Sequence, residues 1–430
     1  MSKLQELINK LCPNGVEFKP LGEVFEMRNG YTPSKNNPDF WEGGTIPWFR
    51  MDDIRENGRI LSDSIQHITP SAIKGKGLFE ANSFILATTA TIGEHALIIA
   101  DSLANQQFTN LKVRKSLSNL LVTKFIYYYM FIVDDFCKRN TNVSGFASVD
   151  MDKLKKMPFP VPPIEVQEEI VRILDSFSDY AAELQAELQA RKQQYEYYRN
   201  LLLTFNPSAY GCGTDDEQKD GVTTWGGHNY KIEWKKMGEI GTFIRGKRFV
   251  RTDIMDRGVP CIHYGDMYTY YGLYTDNTPT FLKEEKAQKM RFAQKNDIVI
   301  VAAGENKDDL GNAVAWLGEK PAAVHDACFI FRSNLYPNYI SHICRSHNYH
   351  KQIKMFANEA KICSVSGQDL QKVLIPVPEY ELQIKIASIL DRFETLVNDL
   401  TNGLPAEIAA VKDQYEYYRN KLLTFKKLSA

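Results

Sequence analysis

The sequence predicts an α+β protein: two pseudo-symmetric mixed α/β modules separated by two long helices that form an antiparallel coiled coil. Three observations carry this. The chain repeats itself. A heptad seam follows each copy of a Pro-Val-Pro motif. The intervening stretches hold short β-branched runs broken by Gly, Asn and Pro.

The repeat comes first, because a fixed internal period decides the architecture. Val16–Val24 matches Ile232–Ile240, with Gly22 against Gly238 at an offset of 238 − 22 = 216. Pro160-Val161-Pro162 matches Pro376-Val377-Pro378, and Leu174-Asp175 matches Leu390-Asp391, at the same offset. Gln194-Tyr195-Glu196-Tyr197-Tyr198-Arg199-Asn200 recurs identically at Gln414–Asn420, where the offset is 414 − 194 = 220. Leu202-Leu203-Thr204-Phe205 recurs as Leu422-Leu423-Thr424-Phe425. The second copy therefore carries four extra residues ahead of its last motif.

Between these anchors the copies diverge. Ile46-Pro47 sits against Val259-Pro260, Asp53-Ile54 against Asp266-Met267, and Phe84–Ala87 against Ile298–Val301. Such short apolar runs read as strands joined by long loops. A constant frame with differing loops suits two versions of one recognition surface.

After each Pro-Val-Pro the period becomes helical. Ile170, Leu174, Phe177, Ala181, Leu184, Leu188, Arg191, Tyr195, Tyr198, Leu202 and Phe205 alternate steps of four and three, a heptad seam. The second copy gives Ile386, Leu390, Phe393, Val397, Leu400 and Leu404, then Ile408, Val411, Tyr415, Tyr418, Leu422 and Phe425. The four extra residues act as a stutter, and Gly403 and Pro405 break the helix there, with Pro405 opening a second segment. Each seam needs a partner, and the economical one is the other copy. A helix of about 36 residues would span roughly 54 Å. The alternative is that each helix packs on its own module. The tandem Ala182-Glu183-Leu184-Gln185, Ala186-Glu187-Leu188-Gln189 is either plain helix-forming composition or an adjustable spacer, one unit adding about 6 Å.

These readings divide the chain into a first module at 1–160, a central long helix at 161–206, a linker loop at 207–230, a second module at 231–376, and a C-terminal long helix at 377–430 broken near 403–405. With 430 residues, several domains are expected. The seven cysteines (12, 137, 212, 261, 328, 344 and 363) show no metal-ligand spacing and read as reduced thiols of a cytoplasmic protein. No run is long and apolar enough for a membrane span. The net charge of −1 means that any nucleic-acid affinity must come from local patches.

The start Leu11-Cys12-Pro13-Asn14-Gly15-Val16-Glu17 with Leu21-Gly22-Glu23, both Pro-Val-Pro-to-helix junctions, Gly403-Leu404-Pro405-Ala406-Glu407-Ile408 and both Gln-Tyr-Glu-Tyr-Tyr-Arg-Asn motifs resemble the specificity subunits of type I restriction–modification systems. The family's Glu-Gln pair early in the helix appears as Val166-Gln167 and Leu382-Gln383. The resemblance implies that each module is a target-recognition domain reading one half of a split double-stranded DNA site. It implies that the helices separate the modules and dock two methyltransferase subunits. A restriction and translocation subunit would complete the complex. S-adenosylmethionine, ATP and Mg²⁺ would belong to those partners, so this chain is expected to hold no cofactor, no metal and no catalytic residue. It also ties the number of four-residue repeats to spacer length.

The DNA-binding candidates are loop residues able to pair with bases or phosphates. In the first module they are Arg28, Lys35, Arg50, Arg55, Lys74, Lys76, Gln106, Gln107, Lys138 and Arg139. In the second they are Arg245, Lys247, Arg248, Arg251, His263, Lys289, Arg291, Asn306, Lys307 and Lys361. The docking and spacer candidates are Gln167, Leu184, Leu188, Tyr195, Tyr198, Arg199, Gln383, Leu404, Tyr415, Tyr418 and Arg419. Solvated surface charge is the plain alternative for the basic residues. Gly241–Arg248 approaches a phosphate-binding loop but has Arg248 where the Mg²⁺-binding hydroxyl belongs, so a nucleotide site is not expected. There is no Asn-Pro-Pro-aromatic tetrad for amino methylation, Asp39 with Glu42 lacks a nuclease frame, and the histidines show no ligand spacing. The competing functions are an enzyme acting alone, and a coiled-coil scaffold with two protein- or glycan-binding modules.

Overall fold

A computed structural model describes residues 3–142, 147–205, 221–225, 227–359 and 362–428. Most of the expected linker, and Cys212 with it, lies outside these residues. At its end Gly221–Trp225 is a strand, paired antiparallel to His228–Lys236. The chain forms two units, Met1–Glu183 with Ile408–Ala430, and Leu184–Glu407.

The first unit is built on strands β1 (Glu17–Pro20), β2 (Phe25–Asn29), β3 (Ile46–Phe49), β4 (Ile60–Leu61), β5 (His67–Ile68), β6 (Ser83–Ala87), β7 (His95–Ile98), β8 (Leu103–Ala104) and β9 (Phe108–Val113), helix α1 (Thr123–Arg139), and strand β10 (Pro158–Val161). A five-stranded sheet runs β2-β9-β6-β7-β4, and a three-stranded sheet β5-β3-β8. β6 is central and buried at every position, which is why it reads Ser-Phe-Ile-Leu-Ala without polar alternation. β10 pairs antiparallel with β1, bringing the Pro-Val-Pro end of the module beside its beginning. Helix α2 (Ile164–Thr204) starts three residues later. Its Val166, Ile170 and Leu174 enter the same core as Phe125, Phe159 and Leu423. Glu169, almost wholly buried, holds Lys3 at 2.9 Å and Arg172 at 2.7 Å, and these cations keep its carboxyl down at about 2.

The second unit repeats the plan with β11 (His228–Lys236), β12 (Gly241–Arg245), β13 (Val259–Ile262), β14 (Tyr274–Thr275), β15 (Thr280–Leu282), β16 (Ile298–Val301), β17 (Ala313–Trp316), β18 (Ala322–Val324), β19 (Cys328–Ser333), helix α3 (Pro337–Ile343), β20 (Leu374–Pro378) and helix α4 (Tyr380–Asn398). Its main sheet runs β12-β19-β16-β17-β14, the strand order of the first unit. Even the parallel edge pair is shared, β4 with β7 and β14 with β17.

Each long helix is fastened to its module by one glutamine. Gln167 Oε1 accepts from Val122 N at 2.8 Å, while its amide donates to Pro162 O and Leu120 O, both at 2.7 Å. Gln383 accepts from Tyr336 N at 2.9 Å and donates to Pro378 O at 2.8 Å. Both are buried, so they serve inside the fold and present nothing to a partner. An amide is needed because the site asks for a donor and an acceptor on one side chain.

α2 runs 41 residues without interruption, about 61 Å. Across the Ala-Glu-Leu-Gln tandem only Leu184 and Leu188 are buried, the narrow stripe of a helix paired on one side. The other copy's helix is broken: α4 ends at Asn398 and α5 (Leu404–Leu422) begins after a turn. Asp399 stabilises that turn, accepting from Thr401 N at 2.7 Å and Asn402 N at 3.2 Å. A Cβ on Gly403 would lie 2.4 Å from Thr395 O, so the helix end passes too closely for any other residue. No helix of the described residues is long and apolar enough to cross a membrane.

Replacing Gln167 by Ala strands three backbone groups beneath the helix root. Urea denaturation is expected to show a loss of about 2–4 kcal/mol. A loss below about 0.5 kcal/mol would mean that the glutamine does not fasten the helix.

Candidate nucleic-acid interface and helix joints

In both units a glycine crosses the ends of two parallel strands. β3 runs parallel to β8, and β13 parallel to β18. In the first unit Gly30 N donates to Phe108 O (2.8 Å), Tyr31 N to Ala104 O (2.9 Å) and Asn105 N to Phe49 O (3.0 Å). In the second, Gly246 N donates to Cys328 O (2.9 Å), Lys247 N to Val324 O (2.9 Å) and His325 N to Ile262 O (3.2 Å). A Cβ on Gly30 would meet Ala104 O and Asn105 O at 2.3 Å, and one on Gly246 would meet His325 O at 2.1 Å. Only glycine fits a backbone crossing this close. The loop after Gly246 leads into a three-residue turn at Arg251–Asp253, so it is not the strand-loop-helix of a phosphate-binding loop.

The side chains on this shared frame differ. In the first unit Arg50 follows β3, and Asn105 and Gln106 follow β8. Asp53, fully buried, accepts from Arg50 N and from Ile65 N, both at 2.6 Å, and so fixes where Arg50 starts. Thr32 Oγ1 donates to Gln106 Oε1, orienting an exposed amide. In the second unit the same places hold His263 and His325, 5.1 Å apart between ring centroids, with Phe249 and Tyr264 against them. His263 Nδ1 accepts from Gly265 N at 3.2 Å. His325 Nδ1 accepts from Ala327 N at 3.2 Å, and its Nε2 faces Phe249 O, which can only accept. Both neutral rings therefore carry their hydrogen on Nε2. Burial lowers both pKa values. Asp266 and Asp326 oppose it, while Arg251 and, for His325, His263 and Arg248 reinforce it.

The helices meet the modules at two equivalent joints. In the first unit Asp175 accepts from Tyr128 OH at 2.6 Å and Lys124 Nζ at 2.7 Å. Phe177 stacks on Tyr418 with centroids 5.5 Å apart, and Arg419 lies 4.3 Å over Phe131. In the second unit Asp391 accepts from Asn338 Nδ2 at 2.9 Å and His342 Nε2 at 2.8 Å. With Nε2 so engaged, His342 Nδ1 is placed to accept from Tyr195 OH at 3.2 Å. Burial, then Glu394, raises the Tyr195 pKa and keeps that hydroxyl a donor. Tyr198 stacks on Phe393 at 5.7 Å. Phe177 and Phe393 correspond at offset 216, Tyr198 and Tyr418 at 220. Each seven-residue motif thus packs on the helix of the other copy, while α2 at its root packs on its own module. Both expected pairings occur, at different ends of one helix.

The family model for the type I restriction modification DNA specificity domain matches residues 13–191 and again 230–410. The chain belongs to the type I restriction–modification DNA specificity family. The specificity subunit of the type I restriction enzyme EcoprrI from Escherichia coli is 36% identical over 423 residues, spanning 96% of this chain and 94% of that one. That of EcoR124I/EcoR124II from the same organism is 29% identical over 451 residues, with 99% and 98% covered. Two solved structures share the fold. One is a chain of the type I R-M system solved for its complex assembly and conformational transition (TM-score 0.60, 15% identity, 96% and 98% covered). The other is the HsdS subunit from Thermoanaerobacter tengcongensis (TM-score 0.53, 14% identity, 97% and 98% covered). As a specificity subunit, the chain is the non-catalytic, DNA-recognising component of its system.

The specificity subunit gathers some of the basic candidates and scatters others. Arg245, Lys247, Arg248, Arg251, His263 and Arg291 come together around the second crossing, where Arg245 donates to Asp326 O and Arg291 to Arg245 O. Arg50, Gln106 and Gln107 flank the first. Arg28 donates to Lys76 O and covers Phe79, so it groups with Lys74 and Lys76 on a neighbouring loop. Lys35 is exposed in the loop after Gly30. Arg55 pairs loosely with Asp52 on a short helix. Lys138 lies where a Gly93 side chain would be, and Arg139 bonds Asp135 O, both at the end of α1. Lys289 lines a separate hollow with Asp253, Lys283 and Lys286. Asn306 caps a turn and Lys307 pairs with Glu359. Lys361 lies outside the described residues.

Among the docking candidates, Leu184, Leu188, Tyr195, Leu404 and Arg419 are buried. Arg199 is largely covered and Tyr415 partly so. Tyr198 and Tyr418 are the exposed ones, at 36% and 39%. The outward aromatics that the seam pattern passed over are Tyr197 (63% exposed) and Tyr417 (59%). Their signal is identity at a position that the seam does not require.

Alanine at Gly30 or Gly246 forces a methyl group into backbone carbonyls. Each variant is expected to lose at least about 2 kcal/mol by thermal or chaotrope unfolding. Wild-type stability in either would show that the crossing has room for a side chain.

Proposed function

We propose that this specificity subunit reads a split, asymmetric double-stranded DNA target, one half per module, while its helices dock two methyltransferase subunits. The observation that carries the reading is the contrast within one chain. The two modules share strand order and the glycine crossing yet present different side chains, whereas the helix motif is the same in seven successive residues. Recognition that must differ is placed on divergent side chains of a constant frame. A partner bound twice needs the same surface twice. Tyr197 and Tyr417, exposed and set edge-on to Tyr198 and Tyr418 at 5.4 and 5.3 Å, offer such a surface.

Affinity in this reading comes from local basic groups, because a chain of net charge −1 has no general attraction for phosphate. Chemistry belongs to the partners: S-adenosylmethionine on the methyltransferase subunits, ATP and Mg²⁺ on a restriction subunit, all in the cytoplasm. The uninterrupted α2, with its Ala-Glu-Leu-Gln tandem, serves as the spacer between readers.

Deleting Ala186–Gln189 removes about 6 Å of helix and turns it by roughly 40°. Methylation mapping in cells carrying the partner subunits is expected to show a shorter spacer with both half-sites unchanged. Altered half-site sequences with the spacer intact would contradict the assignment of roles.

A further inference from the structure

The modules use one frame, so position can be compared with position. Phe49 ends β3 as Ile262 ends β13, each beside a parallel neighbour, and each is followed at once by a polar side chain: Arg50 in one module, His263 in the other. Three residues further on, both modules hold an acidic residue. Asp53 takes the Arg50 N–H, and Asp266 takes the Thr280 hydroxyl at 2.8 Å. In both, the N–H of that acidic residue returns to the carbonyl of the polar one, Asp53 N to Arg50 O and Asp266 N to His263 O, each at 3.1 Å, so the two positions share a turn and differ in the group it presents.

Those groups are poised and not used up. Arg50 Nε is shielded from solvent and has no hydrogen-bond partner among the described residues. Its guanidinium stands 6.0 Å over Trp48, and its nearest carboxylate, Asp52, is 4.0 Å away, too far for a hydrogen bond. His263 has Nδ1 committed to Gly265 N, and no acceptor among the described residues takes its Nε2 hydrogen. His325 is different: both of its nitrogens are engaged, and it acts as a wall. Phe249, fully buried, backs the pair.

Resting on the DNA-reading function proposed above, we infer that this single equivalent position is the specificity-determining one in each module, Arg50 reading guanine through its two-pronged guanidinium and His263 reading one base acceptor through its Nε2–H. An arginine fork matches guanine O6 and N7 in the major groove. A neutral imidazole offers one donor, which suits a lone acceptor such as purine N7 or thymine O4. The half-site read by the first module then contains a guanine whose replacement is poorly tolerated, and the second module makes a softer choice at its matching position.

The test is methylation mapping of genomic DNA in a host lacking other methyltransferases, with the full chain expressed beside its methyltransferase subunits. The wild-type pattern comes first. Arg50→Ala should relax one guanine in one half-site, the preference falling on the order of tenfold or more, and leave the other half-site untouched. His263→Ala should relax one position in the other half-site, and His263→Gln, which keeps a donor near Nε2, should restore much of it. Arg50→Lys keeps the charge and loses the fork, so it should fail as Arg50→Ala does, and it guards against a fold defect in the alanine variant. A bipartite wild-type motif with both half-sites unchanged in Arg50→Ala, Arg50→Lys and His263→Ala overturns the inference and leaves the DNA-reading function standing. A wild-type chain giving no bipartite motif overturns both.

Discussion

Each unit of this protein is closed by a helix segment from the other copy, and that exchange is the constraint on which the rest depends. The contacts are of one kind in both units. A buried-edge carboxylate, Asp175 or Asp391, is held by two donors from the module's helix. Two residues further on, a phenylalanine stacks on the third tyrosine of the other copy's motif. The inward residues of the motif fit the same kind of receiving surface in both units, and they are the same twice. The receiving partners still drift: Tyr128 becomes His342, Lys124 becomes Asn338, and Phe131 beneath Arg419 becomes Arg345 near Arg199. Drift is tolerated where a donor still faces the carboxylate.

The same logic explains where divergence is free. The glycine crossings leave no room for change at Gly30 and Gly246, and the central strands β6 and β16 are buried throughout. The residues immediately after the parallel strand ends carry no such burden. Their backbone is fixed, so a new side chain alters what is presented without altering the fold. A chain with one rigid frame used twice can thereby hold two unlike surfaces.

Much of this was legible in the residues. The aligned anchors Ile46-Pro47 with Val259-Pro260 and Phe84–Ala87 with Ile298–Val301 are equivalent strands. The seam at Leu184, Leu188, Tyr195 and Leu202 is buried as its period requires. Gly403 and Pro405 marked the break. Other features were hidden for physical reasons. Two-residue strands such as Ile60–Leu61 and Leu103–Ala104 are too short to show a period. Gln167 and Gln383 read as surface residues because their partners are 45 and 47 positions away along the chain. Arg419 read as a docking or spacer residue, and its aliphatic stem and planar head are buried over aromatic rings. Of twenty basic or polar candidates, the sequence could not say which share a loop cluster, since the grouping of Arg245, Arg248, His263 and Arg291 depends on strand pairing.

The crossed joints are tested most directly by double-mutant cycles on unfolding free energy. Phe177→Leu with Tyr418→Leu, and Phe393→Leu with Tyr198→Leu, should each show a coupling of about 0.5–1.5 kcal/mol, as stacked aromatic pairs do. The same-copy combination Phe177→Leu with Tyr198→Leu should be additive. Additivity in both crossed pairs would contradict the exchange of helix segments between the copies.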